Sequence, residues 1–446
     1  MPSPGCTPVC DEGQLLEFIR FLHCQLLLEA ELILGKNLAE KFWVFGRDGL
    51  WQRYSQWLAK IDTAARFEKW VPFHTCLQEH ERFILEEIHT QRGHPWTPKR
   101  RFIAMFQFRV HCRVDLFRTV QLPLLGSSDY WESPKEAWRP GGTMERSILA
   151  YRRRTHAPLQ TGAFRIIPRR LVTDDDTNLV RNISLRNIEL TKCAEEVWPI
   201  VESTRRKLRR NDVTPAELKK RSSKLYVDLA DHMRKVPRVG ATWVKMLMVC
   251  IDHLFPRLCL LQENCEVGVG AKPGLSRIMQ MREPRATEAR EGLKVLTQSI
   301  NRSSHPIGKA FRKLLREVEK IAREKYKHNR LLCRHLCFGK RGLSAGLVQV
   351  QLCEWRQFLD FQARQAQASH ESAGRTPRPL WPALTVQSAP KSLNQLSTNK
   401  RARPAWPALA PGAGASKRTC LSLAYTSPRS RGEKWSSPCR AGALAY

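Results

Sequence analysis

The sequence is short of acid: against 75 Lys and Arg it sets only 42 Asp and Glu, a formal net charge of +33. A surface so basic favours polyanions as partners, either through a specific nucleic-acid function or through a more general basic role of the ribosome-associated kind. A long uninterrupted apolar run is also missing. The most apolar stretch, Leu15 to Leu34, is broken by Glu17, Arg20, Glu29 and Glu31, which excludes a bilayer span or a secretory signal there and leaves a packed amphipathic helix. The 14 cysteines lack the regular spacing of a disulfide framework and read as reduced thiols inside a cell. Cys333, His335 and Cys337 suggest one corner of a metal site, but no second Cys/His pair follows at zinc spacing, so no metal is expected. Strand-type alternation is scarce, which predicts a mainly α fold, a helical bundle. No loop carries the terminal Gly-Lys-Ser/Thr of a P-loop, which argues against a complete P-loop kinase.

What is there organises the chain. A hydrophobic content of 42% over 446 residues can fill a sizeable core. Residues 1–66 read as an N-terminal helical layer, with Trp43, Phe45, Trp51 and Trp57 set among polar residues after the first helix. Residues 67–361 form the main domain, interrupted at about 126–180 by an irregular Ser-, Pro-, Gly- and Arg-rich insertion holding one short helix, begun by the capping box of Ser133 to Glu136. Residues 362–446 are expected to be a disordered basic tail: from Ser369 only Glu371 and Glu433 are acidic, aliphatic residues are few, and Arg378 to Leu384 recurs as Arg403 to Leu409.

The corner from Arg92 to Pro98 is strongly determined. Gly93 and Pro95 stop one helix, Thr97 suits the N-cap of the next, and Pro98 suits its first position. The next helix is expected to run through Phe102, Phe106, Phe108 and Arg113 until Pro123 closes it. Trp96 is thereby set beside a basic helix, a combination that can hold a base, or else it is a core aromatic. Arg92 and Arg113 either brace the corner or hold phosphate. Thr214-Pro215 repeats the cap-and-proline start. Around it lie two basic clusters, Arg205, Arg206, Lys207, Arg209, Arg210 and Lys219, Lys220, Arg221, which serve as nuclear import signal, phosphate-contacting face or solvated surface. Pro237 to Gly240 before an apolar helix looks like the hairpin of helix-hairpin-helix DNA-binding proteins, whose hairpin amides contact phosphate. Asp252, beside His253 at the end of that helix, is a candidate base or an ordinary helix-terminal Asp. Gly268, Gly270 and Gly274 leave backbone amides free to approach phosphate oxygens, and Lys272 adds a positive charge.

The run from Glu81-Arg82 through Arg92 to Thr97, then Phe106 to Phe108 and Arg113, resembles the signature of the helical domain of 5-hydroxymethyl-deoxyuridine DNA kinases. That domain belongs to the wider alpha-glutamyl/putrescinyl thymine pyrophosphorylase group. Gly268 to Leu275 is similar to the group's glycine-rich loop, and Leu352-Cys353-Glu354-Trp355 to its closing element. The chain departs from the pattern at Val110, where an Asn is usual, at Asp115, two residues after Arg113, and at Lys272-Pro273. The resemblance implies a DNA glycosylase-like helical fold acting on 5-hydroxymethyluracil in DNA by phosphoryl or pyrophosphoryl transfer. Arg92, Arg113, Asp252 and Glu354 would be the catalytic residues, and Trp96, Thr97, Gly268, Gly270, Lys272, Gly274, Arg205, Arg206 and Lys207 the DNA- and substrate-binding ones. Mg2+ and a nucleoside triphosphate donor would complete the chemistry. The expected partners are DNA and a protein supplying a kinase or oxidase activity, with no membrane, and the expected location is intracellular and nuclear. The alternatives are a non-catalytic DNA-binding protein of the same fold, or a glycosylase that removes a modified base. In every version the proline-tryptophan corner and the triple-glycine loop converge on one anion pocket.

Overall fold

A computed structural model describes residues 9–34, 49–60, 71, 73–75, 78–89, 96–160, 175–208, 213–268, 270–281, 306–338 and 342–372. The corner residues 90–95 and the tail beyond 372 lie outside them. The protein is mainly helical, and among the described residues the only extended pairing is a single bridge, Phe338 to Leu343. The chain divides into two units, one reaching Arg356 and the other starting at Gln357.

The first unit is built on a helix that is buried all round from Phe21 to Glu29, while Glu12 and Gly13 are exposed and Glu17 and Arg20 half-buried. α1 (Glu12–Leu34) buries Phe18, Ile19, Phe21 and Leu22 together with the polar Gln25 and Glu29. Sequence pattern predicts an amphipathic helix; burial all round requires partners for the polar groups instead. Gln25 donates to Gln351 at 2.9 Å and accepts from the Tyr54 hydroxyl at 2.7 Å, and Glu29 accepts from the His74 backbone at 2.7 Å. Tyr54 comes from α2 (Gly49–Lys60), whose Trp57 also faces Phe21.

α3 (Glu79–Phe83) widens into a π-helical turn, Ile84–Ile88. α4 (Pro98–Arg109) starts as its sequence dictates, with Thr97 Oγ1 accepting from Arg100 N at 3.2 Å and proline in the first position. From Phe102 to Arg109 every side chain is buried, which makes α4 the central helix. It packs against α10 (Asp176–Leu208) and α12 (Ala241–Leu254).

Two expectations are corrected here. The helix begun at Pro98 stops at Arg109 rather than at Pro123, and the chain passes through Cys112 at φ 50° before restarting as α5 (Val114–Leu116). A π turn, Phe117–Gln121, leads on into α6 (Leu122–Leu125). There Leu122 N reaches back five residues to Phe117 O, and the widening falls where Pro123 has no N–H to continue a regular register. Over its described residues, 126–160 and 175–180, the expected insertion holds more than a single short helix: α7 (Ser128–Glu132), α8 (Pro134–Ala137), α9 (Thr143–Thr155) and the start of α10. Ser133 precedes α8, but its side chain makes no cap hydrogen bond. The reason for the order is a buried aromatic node. The Tyr130 hydroxyl accepts from Trp138 Nε1 at 2.9 Å and from Gln107 of α4 at 2.6 Å, tying the segment to the central helix.

α11 (Pro215–Arg234) opens with Thr214 accepting from Glu217 N at 3.2 Å, and a short turn joins it to α12. A 3-10 turn, Pro256–Leu258, follows, then α13 (Leu260–Glu263) and α14 (Lys272–Ile278). α15 (Pro306–Lys325), α16 (Arg330–Leu336) and α17 (Ala345–Ser372) complete the described chain. Phe18 of α1 meets Trp355 of α17 at 5.3 Å between ring centroids.

Candidate functional site

Helix α12 carries a candidate feature at each end. At its start, α11 and α12 are joined by an exposed turn through Pro237 and Arg238, with Val239 buried beneath. Arg238 adopts φ 70°, a conformation that costs a side-chain-bearing residue of order 1 kcal/mol. Arg186 of α10 braces the turn by donating to Pro237 O at 2.6 Å. The N-cap of α12 is Gly240, and no side chain caps the first amides. A helix N-terminus left in this state attracts anions through its free N–H groups and dipole.

The other end of α12 meets a buried charge cluster. Arg109 of α4, with no solvent exposure, donates from both terminal nitrogens to the Glu81 carboxylate at 2.8 Å each, and its Nε donates to Cys250 Sγ at 3.2 Å. His253 Nε2 lies 2.8 Å from the same carboxylate and His80 Nε2 3.3 Å from it. Burial alone would raise the Glu81 pKa, yet the Arg109 charge and the His253 and His80 contacts hold it well below the usual carboxylate value. The cluster therefore stays ionised and links α3, α4 and α12. Sequence reasoning did not single out Arg109, His253 or Cys250 as a group. The available signal was an arginine set between Phe108 and Val110 in an otherwise apolar run.

The expected site residues are placed as follows. Asp252 is committed to structure: its two oxygens accept from Leu260 N at 2.8 Å and Leu261 N at 3.0 Å, capping α13. Burial pushes its pKa up to about 6 in spite of those amides. The glycine loop and the Leu352 to Trp355 element do come together. A Cβ on Gly268 would fall 2.8 Å from Thr242 Oγ1, one on Gly270 3.1 Å from Cys353 Sγ, and one on Gly274 3.0 Å from Leu352 O. Close packing of loop on helix is thus a sufficient reason for all three glycines. Glu354 is buried, and Lys272 is half-buried with its pKa lowered by that burial.

Trp96 lies in the core at 5% exposure, edge-on to Trp131 at 5.7 Å, so little of its face is open to a base. Thr97 serves as the cap of α4. Arg113 precedes α5 and lies 3.8 Å from Asp115, while Arg92 is outside the described residues. Trp96 and the glycine loop are accordingly packed against different neighbours, Trp131 for one and Thr242, Leu352 and Cys353 for the other. Arg205 and Arg206 both bond Glu202, whose pKa they lower to about 2, and Lys207 is exposed. Among the described residues no group of three metal-ligating side chains is present, and no helix is long and apolar enough to cross a membrane.

No protein-family model, curated protein or solved structure matches this chain. The functional reading is carried by the geometry.

Three outcomes test this description. Glu81→Gln strands a buried guanidinium and lowers stability by about 3–5 kcal/mol in urea unfolding, whereas the double change Glu81→Leu with Arg109→Met costs less than the single. Gly270→Ala is destabilising, and adding Cys353→Ala recovers part of the loss in a double-mutant cycle. For Asp252 the folded pKa is the raised one, so between about pH 4 and 6 the native state retains a proton that the unfolded chain has released. Its contribution is fully present below the unfolded pKa and is lost as pH rises through about 6. The stability gap between wild type and Asp252→Asn therefore narrows from pH 4 to pH 7; a gap that widens contradicts the assignment.

Proposed function

We propose that the chain is a DNA-binding protein that grips the phosphate backbone through the turn between α11 and α12. The observation that carries this reading is the pairing of an exposed, strained Arg238 with an uncapped helix start at Gly240, braced from behind by Arg186. Such a turn offers backbone amides and a guanidinium to the same anion, which is how helix-hairpin-helix proteins hold phosphate without reading sequence. The net charge of +33 supplies the long-range attraction that brings a duplex to it. In this reading the helices belong to a DNA glycosylase-like fold and the protein works in the nucleus.

A second reading, a transferase acting on 5-hydroxymethyluracil in DNA, is favoured by the far end of α12. There a carboxyl with a pKa near 6 adjoins a histidine bonded to an ionised glutamate. Perturbed carboxyls and buried charge clusters are frequent at active sites, and equally frequent in structural networks. The occupation of both Asp252 oxygens by amides places the weight on binding.

Arg238→Gly separates function from stability. Glycine tolerates the left-handed conformation, so the variant gains about 0.5–1 kcal/mol in urea unfolding. Its affinity for duplex DNA falls, and the slope of log K against log salt becomes shallower by about one. An unchanged slope with unchanged affinity rejects the turn as the contact. Mass spectrometry of nucleosides from hydroxymethyluracil-containing DNA incubated with the protein, Mg2+ and a nucleoside triphosphate decides the second reading: a heavier nucleoside supports it, and an unaltered spectrum removes it.

A further inference from the structure

A cavity of about 290 Å3 opens where the end of α10 meets the exit of α12. Its apolar lining comes from Leu208, Leu254, Phe255 and Leu258, all buried, and its charged lining from Arg205 and Arg257. It is a half-open cleft, just under the size of typical ligand pockets, with room for one planar base.

Arg205 is held unusually firmly for a lining arginine. Its Nε and Nη2 donate to the two Glu202 oxygens at 2.7 and 2.8 Å, and its guanidinium lies over the Phe255 ring at 5.1 Å from the centroid. Phe255 is in turn backed by Trp198 at 5.9 Å. The Trp198 ring is tilted by 47° to that of Phe255, and both Arg205 and Phe255 line the cavity. A fixed guanidinium plane is a platform on which bases stack. Arg257 is exposed and, among the described residues, makes no ion pair, so its charge at the mouth is uncommitted. Arg206 and Lys207 are exposed just beyond.

We propose that this cavity is a nucleotide site, taking one base against the guanidinium of Arg205 and the attached phosphate at Arg257. An apolar occupant would leave Arg257 unanswered, and an inorganic anion would make no use of the apolar wall; a nucleotide meets both. The occupant is a free mononucleotide or an unpaired nucleotide of a strand held by the protein. The second source rests on the DNA-binding reading above, and the first does not.

The test uses the full chain in three titrations at fixed salt: thymidine monophosphate followed by calorimetry, a short single-stranded oligothymidylate by anisotropy, and a fully paired duplex by anisotropy. Arg205→Lys keeps the charge and the Glu202 pair but removes the plane. The expected result is about a tenfold loss of oligothymidylate affinity, with duplex affinity within twofold of wild type. Arg257→Gln, on an exposed side chain outside the packing, is expected to weaken the strand severalfold and serves if Arg205→Lys does not fold. Binding of the monophosphate by wild type assigns the site to free nucleotides as well; binding of the strand alone assigns it to an unpaired base. Equal strand affinity in wild type and both variants overturns the proposal, as does a parallel loss on strand and duplex, which is the behaviour of plain charge. Wild type that binds the duplex but neither the strand nor the monophosphate overturns the pocket and leaves the duplex-binding reading standing. The reverse pattern removes the duplex reading and keeps the pocket.

Discussion

The fold depends on the ion pair between Arg109 and Glu81. An unpaired guanidinium at the centre of a helical core would cost several kcal/mol, so the carboxylate must be delivered to it, and with both terminal nitrogens satisfied the geometry leaves little freedom. That requirement fixes α3 against α4. The shared contacts to His253 and Cys250 then fix α12 against both. Everything that makes α12 interesting follows from this clamp: its start is presented at an exposed turn and its end is directed toward the Phe255 cavity.

In the proposed reading the two ends of α12 differ by chemistry. The start is polar and open, with unshared amides and a strained arginine, and is suited to phosphate. The exit gathers apolar side chains around a guanidinium platform and is suited to a planar ring. A helix of this length places the two about 20 Å apart, a separation that one strand of a few nucleotides can cover. Between them, Asp252 and the glycines of the later loop hold α13 and α14 in place, so residues that look chemical in one dimension work as packing and caps in three.

Sequence disclosed the local rules well and the tertiary ones poorly. The starts at Thr97 and Thr214 were legible because a cap and a following proline are short-range devices, complete within four residues. The α11–α12 turn was legible for the same reason. The break after Arg109 was not, since nothing in Val110 to Arg113 forbids helix; a left-handed Cys112 is imposed by the surroundings. The helices between Gly126 and Val180 were hidden because their order comes from Tyr130 and Trp138 reaching Gln107, partners distant in sequence. The glycine loop showed the same ambiguity in reverse. Gly268, Gly270 and Gly274 signal that something comes very close to the backbone, and sequence cannot say whether that is a phosphate or, as here, Thr242, Cys353 and Leu352.

The claim at the centre of this account is that the amides at the start of α12 meet DNA phosphate. Hydrogen-exchange mass spectrometry of the full chain, with and without a short duplex at low salt, tests it directly. Peptides spanning Val236 to Thr242 are predicted to slow on addition of duplex, with the buried Phe102 to Arg109 segment unchanged. Unaltered exchange across the turn, with protection gathered elsewhere in the chain, would contradict it.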